Sequence, residues 1–165
     1  MSEYRLIPLS GKRGEGRFAK VSLEDFESLS TYRWHLLAGG KGYAARQITK
    51  CGHRSLGLMH RSILGLPPGD KLKVDHVNGD TLDNTRANLR IATHAQNMRN
   101  RAKNKSSSSA YKGVSWDAQN KRWRAGIKVC GKQHKLGSFA DELSAALAYD
   151  EAARRLHGEF ANLNF

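Results

Sequence analysis

The sequence predicts an α+β protein made of two units joined by a linker. Residues 71–100 contain two short stretches of alternating apolar and polar residues, followed by a helix start. Residues 111–165 contain three alternating stretches and then one amphipathic helix. Between them, residues 101–110 are basic and include four consecutive serines, which bury nothing and are typical of a flexible linker.

The charge of the chain calls for an anionic partner. Its 165 residues include 28 Lys and Arg against 15 Asp and Glu, a formal net charge of +13. Eleven of the basic residues lie between positions 97 and 135, where Asp117 is the one acid. Trp116 and Trp123 interrupt this basic stretch, a mixture typical of nucleic-acid contact surfaces. We therefore expect phosphate binding, and no obligate protein partner is evident.

Several classes of protein are excluded. The chain has no apolar run approaching the roughly 20 residues that cross a bilayer, so no membrane partner is expected. The N-terminus lacks the pattern of a secretory signal, which predicts a cytoplasmic location. Cys51 and Cys130 are too few and too far apart for a disulfide framework or a zinc ribbon.

The first 70 residues read as short strands and turns. Apolar clusters at 6–7, 18–21 and 43–45 predict strands, and glycines punctuate them. Ser22 followed by Asp25 predicts the capped start of a short helix. We identify no chemistry in this region.

Residues 71–105 contain the candidate site. Leu72 and Val74 alternate as in a half-buried strand that ends at Asp75 and His76, and Asn78-Gly79 is typical of a turn. Leu89 and Ile91 form the second strand, Thr93 caps a helix with Gln96 completing a capping box, and Asn97 falls in its first turn.

Folding the hairpin onto this helix can gather Asp75, His76 and Asn97. Asp75 and Asn97 offer oxygen ligands to Mg²⁺ or Mn²⁺, and the remaining positions are left to water and phosphate oxygens. His76, with a reference pKa near ~6.5, can take a proton from water at neutral pH. The pattern predicts a hydrolase that uses one divalent metal.

These residues resemble the HNH endonucleases, whose fold is called ββα-metal. Asp75-His76, then Asn88, then Asn97 match the motif of that family at its spacing, and Asp75-His-x-Asn-Gly-Asp80 and Asn88-Leu-Arg resemble its phage homing-endonuclease branch. The resemblance implies an N-terminal nuclease domain over residues 1–100 with its ββα-metal core at about 71–100. It implies that His76 is the general base, that Asn88 braces the loop, and that Asp75 and Asn97 bind the metal. It also implies double-stranded DNA as the substrate and a phage-infected or bacterial cell as the setting.

Some alternatives are weaker and others stay open. A calcium-binding EF-hand loop starting at Asp75 fails on spacing, because Gly79 is fifth and Arg86 is twelfth in the loop. His94 could approach the metal or be solvated. His60 could face the phosphate or pack in the core.

The second unit is predicted to be a three-stranded antiparallel sheet packed on one helix. The strands fall at 111–116, 121–129 and 134–139, and the helix is capped by Asp141 and ended by Gly158. The patterns Tyr111-Lys-Gly-Val, Trp123-x-Ala and Asn162-Leu-Asn-Phe resemble the DNA-binding domain of plant APETALA/ethylene-response factors across residues 111–165.

That resemblance implies a sheet that reads DNA in the major groove. The candidate DNA-binding residues of the chain are Arg99, Arg101, Lys112, Trp116, Arg122, Arg124, Lys128, Lys132 and Lys135. The sequence departs from that family at Ser115, Gly126 and Lys135, so no plant target sequence is inherited.

The sequence therefore predicts a metal-dependent DNA endonuclease of the HNH homing type, nicking DNA as a monomer. The alternative is a non-catalytic transcriptional regulator that binds DNA, for which the set of Asp75, His76, Asn88 and Asn97 would be unnecessary. An RNA-binding protein also fits the charge, but the chain lacks the exposed aromatic platform of single-strand readers.

Overall fold

The structure, a computed structural model, describes residues 3–39, 42–100, 103 and 108–165. The chain divides between Thr93 and His94 into two compact units, each containing helices and strands. The predicted α+β class is confirmed. Most of the predicted linker, together with Arg101, lies outside the described residues.

Among its described residues, the first unit contains eight short strands in three small sheets and two α-helices. Its strands are β1 (Tyr4–Pro8), β2 (Phe18–Ser22), β3 (His35–Leu36), β4 (Ala44–Lys50), β5 (His53–Leu58), β6 (Lys73–His76), β7 (Asp83–Asn84) and β8 (Leu89–Ala92). Its helices are α1 (Leu23–Ser30) and α2 (Met59–Ile63). The sheets have the orders β1-β2-β7, β3-β4-β5 and β6-β8.

One apolar cluster unites most of these elements. Trp34, Met59 and Val21 are almost fully buried in it, and Leu89 of β8 reaches the same cluster. The strands predicted at 6–7, 18–21 and 43–45 are confirmed by β1, β2 and β4. Strand β5 and helix α2 were not predicted, because β5 is mostly exposed and does not alternate, and a five-residue helix is too short to show a helical period.

Helix α1 begins where predicted, but its predicted capping box does not form. Ser22 precedes the helix without a side-chain cap, and its Oγ instead accepts a hydrogen bond from the backbone N–H of Arg86 at 2.9 Å. The carboxylate of Asp25 accepts hydrogen bonds from Nε and Nη2 of Arg86 at 2.9 and 2.8 Å. Both polar side chains therefore hold the segment before β8 against α1 and do not cap the helix.

The second unit contains a three-stranded antiparallel sheet covered by one long helix. Its elements are α3 (His94–Arg99), β9 (Val114–Asp117), β10 (Arg122–Val129), β11 (Lys132–Phe139) and α4 (Glu142–His157). The strand order is β11-β10-β9, and the predicted strand positions are confirmed. The side chain of Asp141 caps α4 by accepting from the N–H of Ser144 at 2.8 Å, and Gly158 ends the helix with a positive φ of 55°, both as predicted.

Helix α3 belongs to the second compact unit, whereas the sequence predicts a first domain of residues 1–100. The C-terminal end of α3 is bonded to residues of that unit. Nζ of Lys112 donates to the carbonyl oxygen of Arg99 at 2.6 Å, and Nδ2 of Asn162 donates to the carbonyl oxygen of Asn100 at 2.9 Å. Both donors lie far along the chain from α3, so sequence spacing did not reveal them.

The core of the second unit requires a glycine at position 113. Gly113 has φ +75°, and a Cβ placed there would overlap the buried ring of Tyr149 on α4. Gly131 has a similar φ of +81°, but a Cβ there would meet no atom within 4 Å. The two glycines share a backbone constraint and differ in packing.

Replacing Gly113 by Ala should destabilise the protein much more than replacing Gly131 by Ala. Both substitutions place a side chain at positive φ, at about 1–3 kcal/mol, and only Gly113→Ala adds an overlap with a packed ring, about 1–3 kcal/mol further. Urea unfolding followed by circular dichroism measures the difference. Equal losses for the two variants would show that the contact between Gly113 and Tyr149 does not limit packing.

Candidate functional site

Two buried polar residues stand at the end of strand β6. Asp75 and His76 are 4% and 5% exposed, and in the antiparallel pairing of β6 with β8 they lie opposite Arg90 and Leu89. Because successive side chains of a strand point to opposite faces, the two project in different directions. Buried polar side chains need hydrogen-bond partners, and Asp75 and His76 have different ones.

The carboxylate of Asp75 is held by Arg90. Its Oδ2 accepts from Nε of Arg90 at 2.9 Å and from Nη2 at 2.6 Å, and the Arg90 side chain is itself mostly buried. This cross-strand ion pair compensates the carboxylate charge away from water. Sequence reasoning did not single out Arg90, although the strand register opposite Asp75 could have identified it.

The imidazole of His76 is oriented by an amide. Its Nε2 lies 3.4 Å from Oδ1 of Asn84, and Nδ2 of Asn84 donates to the carbonyl oxygen of Leu82 at 3.2 Å. Since the amide N–H₂ faces a carbonyl, Oδ1 is the acceptor toward His76, and Nε2 carries the proton. Nδ1 of His76 is then the nitrogen with the lone pair.

Burial lowers the pKa of His76 below its ordinary value. The hydrogen bond to Asn84 and the charges of Asp75, Asp80 and Asp83 oppose this effect without reversing it. The ring is therefore neutral at pH 7, as a proton acceptor must be.

A second histidine and a tyrosine enclose His76. The ring of His60 meets the His76 ring edge-on at a centroid distance of 5.1 Å, and Tyr43 lies 5.0 Å from His60 and 6.0 Å from His76. Burial, helped by the neighbouring His76 and Arg61, lowers the pKa of His60 to about 3. His60 is therefore a buried neutral ring of helix α2 that packs against His76.

The loop between β6 and β8 is braced by Asn88. Its Oδ1 accepts from the backbone N–H of Asn78 at 2.9 Å, and its Nδ2 donates to the carbonyl oxygen of Asp83 at 2.7 Å. Gly79, at φ +75°, makes the predicted turn at the start of this loop. The amide of Asn88 therefore joins the start of the loop that follows His76 to its middle.

A carboxylate ties the same loop to the first sheet. Asp83 accepts from the hydroxyl of Thr85 at 2.8 Å, from Nδ2 of Asn78 at 3.1 Å and from Nζ of Lys20 on β2 at 3.4 Å. Burial opposes ionisation of Asp83, but the bonds from Thr85 and Lys20 outweigh it and hold the pKa of Asp83 below its usual range.

Asn97 lies on helix α3 in the second unit and is half-buried, whereas His94 at the start of that helix is exposed. Arg99 ends the helix and is also half-buried. The structure thus places Asp75, His76 and Asn88 in the first unit and Asn97 in the second.

Most of the candidate DNA-binding residues lie on the sheet of the second unit. Arg122, Arg124 and Lys128 alternate along β10 with buried Ala125 and Ile127, so they occupy the sheet face opposite helix α4. They are exposed. Lys135 pairs with Gly126 on the same face.

Other candidates have different surroundings. Trp116 is 42% exposed but pairs with Trp123, which packs in the core, so the two rings share the helix side of the sheet at a centroid distance of 5.0 Å. Lys132 pairs with Val129 and is exposed. Lys112 is half-buried, and burial lowers its pKa to about 8 against the opposing charge of Asp150.

The two metal ligands predicted from the sequence are both oxygen donors. Among the described residues no group of three or more His, Cys, Asp and Glu side chains could hold a metal ion. The carboxylate of Asp75 and the carboxamide of Asn97 would offer oxygen ligands only, and such ligands suit Mg²⁺ or Mn²⁺ with water and phosphate oxygens completing the shell.

The comparisons with known proteins identify the family of this chain. The sequence model of the HNH endonuclease family matches residues 58–99, which include Asp75, His76, Asn88 and Asn97. An uncharacterized HNH endonuclease of Acanthamoeba polyphaga mimivirus is 38% identical over 159 residues, covering 92% of this chain and 77% of that protein. The chain therefore belongs to the HNH endonuclease family.

Two further relatives each match part of the chain. Protein 3.8 of Escherichia phage T7 is 36% identical over 88 residues, or 53% of this chain and 72% of that protein. An AP2-like ethylene-responsive transcription factor of Arabidopsis thaliana is 44% identical over 61 residues, or 37% of this chain and 13% of that protein. The C-terminal part is thus similar to AP2-type DNA-binding domains, and no solved structure matches the chain.

In the part of the chain that the structure describes, every helix is too short or too polar to cross a membrane.

Proposed function

We propose that this chain is a metal-dependent DNA endonuclease in which His76 is the general base. The observation that carries the proposal is the buried Asp75-His76 pair, with a neutral imidazole whose tautomer is set by Asn84. Buried polar groups of this kind are costly to fold and are commonly retained for chemistry. Membership of the HNH endonuclease family supports the assignment.

In this proposal Nδ1 of His76 takes a proton from the attacking water. Nε2–H stays on the Asn84 oxygen, so the ring keeps its orientation while it gains the proton. The charges of Asp75, Asp80 and Asp83 stabilise the imidazolium that forms. His60 and Tyr43 limit the access of solvent to the ring.

Asp75 and Asn97 would hold the cation, Mg²⁺ or Mn²⁺. When bound, the cation supplies charge stabilisation to the phosphate and to the leaving oxygen. Arg90 fixes one carboxylate oxygen of Asp75 by an ion pair, and Asn88 braces the loop after His76 by two hydrogen bonds. With one such set of residues per chain, the monomer is expected to nick one strand.

A transcriptional regulator that only binds DNA remains the competing function. The AP2-like part of the chain favours it, since the Arabidopsis relative is named a transcription factor. It leaves the buried ion pair, the oriented imidazole and the braced loop of the first unit without a purpose, and we therefore prefer the nuclease.

Replacing His76 by Ala should reduce cleavage of supercoiled plasmid in Mg²⁺ by about 10²–10⁴-fold, because the base acts only in the chemical step. DNA affinity, measured by fluorescence anisotropy, should stay nearly unchanged. His53→Ala is the matched control, since His53 is exposed on β5, and it should cleave normally. Undiminished turnover by the His76 variant would refute its role, and linear product without a nicked intermediate would refute the monomeric nickase.

The sheet of the second unit would supply DNA recognition. Its face opposite α4 presents Arg122, Arg124 and Lys128, whereas Asp117 on that face is paired with Arg124 at 2.5 Å. Basic side chains on a sheet can contact phosphates and base edges in the major groove. We infer a division of the chain into a nuclease domain (1–100), a basic linker (101–110) and a DNA-reading domain (111–165), typical of phage homing endonucleases.

Arg122→Ala should reduce the salt dependence of DNA binding by about one unit in the slope of log K against log salt, because one phosphate contact is lost. Arg154→Ala removes the same charge from an exposed position on α4, across the sheet, and should leave the slope unchanged. Anisotropy titrations of a duplex at several salt concentrations measure both. Equal slopes for the two variants, or a larger change for Arg154→Ala, would remove the sheet face from the DNA contact.

A further inference from the structure

Helix α3 is too short to be stable by itself. It has six residues, none of them buried, and isolated helices of fewer than ~12 residues are marginal in water. Its last carbonyl groups have no partner within the helix, so their partners decide whether the last turn holds. In this chain those partners come from the DNA-reading domain.

Two side chains bind the C-terminal end of α3. The ammonium group of Lys112 donates to the carbonyl oxygen of Arg99 at 2.6 Å, and the amide of Asn162 donates to the carbonyl oxygen of Asn100 at 2.9 Å. A cation at the C-terminal end of a helix also interacts favourably with the helix dipole. Helix α3 further packs against the turn Gly158–Phe160.

A buried network fixes Lys112 in this position. Asn164 accepts from the backbone N–H of Lys112 at 2.7 Å and donates to its carbonyl oxygen at 3.2 Å. Asp150 lies on α4 and is 1% exposed. Its carboxylate accepts three hydrogen bonds, two from Asn164 (backbone N–H and Nδ2) and one from the backbone N–H of Phe165. The chain around Lys112 is therefore rigidly attached to α4.

We propose that Lys112 and Asn162 are positioning residues that fix helix α3, and with it Asn97, to the DNA-reading domain. This deepens the proposed function, on which it rests, since Asn97 is there a metal ligand. The interaction makes the placement of one ligand depend on the fold of the recognition domain. Lys112 then acts through the helix and is not a phosphate contact, in keeping with its half-buried side chain.

The test uses the full chain with Lys112→Met, Asn162→Ala and the double variant. Hydrogen exchange is measured without metal or DNA at the amides of Met98, Arg99 and Asn100. Exchange there should accelerate about tenfold for each hydrogen bond removed, because the last turn frays. Amides of Ala125 and Ile127 in β10 serve as the internal reference that the sheet is still folded.

Lys121→Met is the matched control. Lys121 is exposed in the turn before β10, and its replacement removes the same charge without touching α3. This variant should exchange like the unsubstituted protein at residues 98–100. Asn162→Ala keeps the proposal testable if Lys112→Met fails to fold, since it removes an uncharged donor near the C-terminus.

Cleavage kinetics on plasmid with Mg²⁺ then separate positioning from DNA contact. We expect kcat to fall about tenfold or more in the double variant, with KM nearly unchanged. Unchanged exchange at residues 98–100, or a raised KM with normal kcat, would overturn the inference. If the unsubstituted protein does not cleave plasmid at all, the proposed function fails, and the role of Lys112 and Asn162 in catalysis fails with it. If the protein cleaves but hydrogen exchange at residues 98–100 is unchanged in the variants, only this inference is overturned.

Discussion

The first unit depends on keeping Asp75 and His76 buried at the end of a four-residue strand. A buried carboxylate is tolerable only beside a cation, and Arg90 supplies it from the neighbouring strand. A buried imidazole is tolerable when it is neutral and oriented, which Asn84 and the enclosing rings of His60 and Tyr43 achieve. The need to orient His76 explains why the loop that follows is polar. Its hydrogen bonds, including the one from Asn84 to the carbonyl oxygen of Leu82, hold the Asn84 amide in place.

Much of this could be predicted from the sequence, for physical reasons. The strands around Asp75 and Leu89 alternate, and the turn at Gly79 needs a positive φ, so local pattern sufficed. The three strands and the capped helix of the second unit could likewise be predicted from the local sequence pattern. His76 and Asn88 were singled out because their spacing matches the HNH motif, and their roles in catalysis stay predictions.

What the sequence did not reveal depends on contacts between distant residues. Arg90, Asn84 and Tyr43 gain their roles from strand register and packing, which a linear pattern does not encode. The capping box at Ser22 was wrong because Arg86, 64 positions away, competes for its hydroxyl. The sequence pattern also did not reveal that Lys112 and Asn162 donate hydrogen bonds to the C-terminal end of helix α3.

Titration of isotopically labelled protein with Mn²⁺ tests the proposed binding of a divalent cation by Asp75 and Asn97. Paramagnetic broadening should first remove the amide signals next to Asp75 and Asn97. The effect should disappear in Asp75→Ala and persist in Glu27→Ala, which removes an exposed carboxylate from α1. Broadening centred elsewhere, or broadening at these residues that survives the loss of the Asp75 carboxylate, would contradict the account.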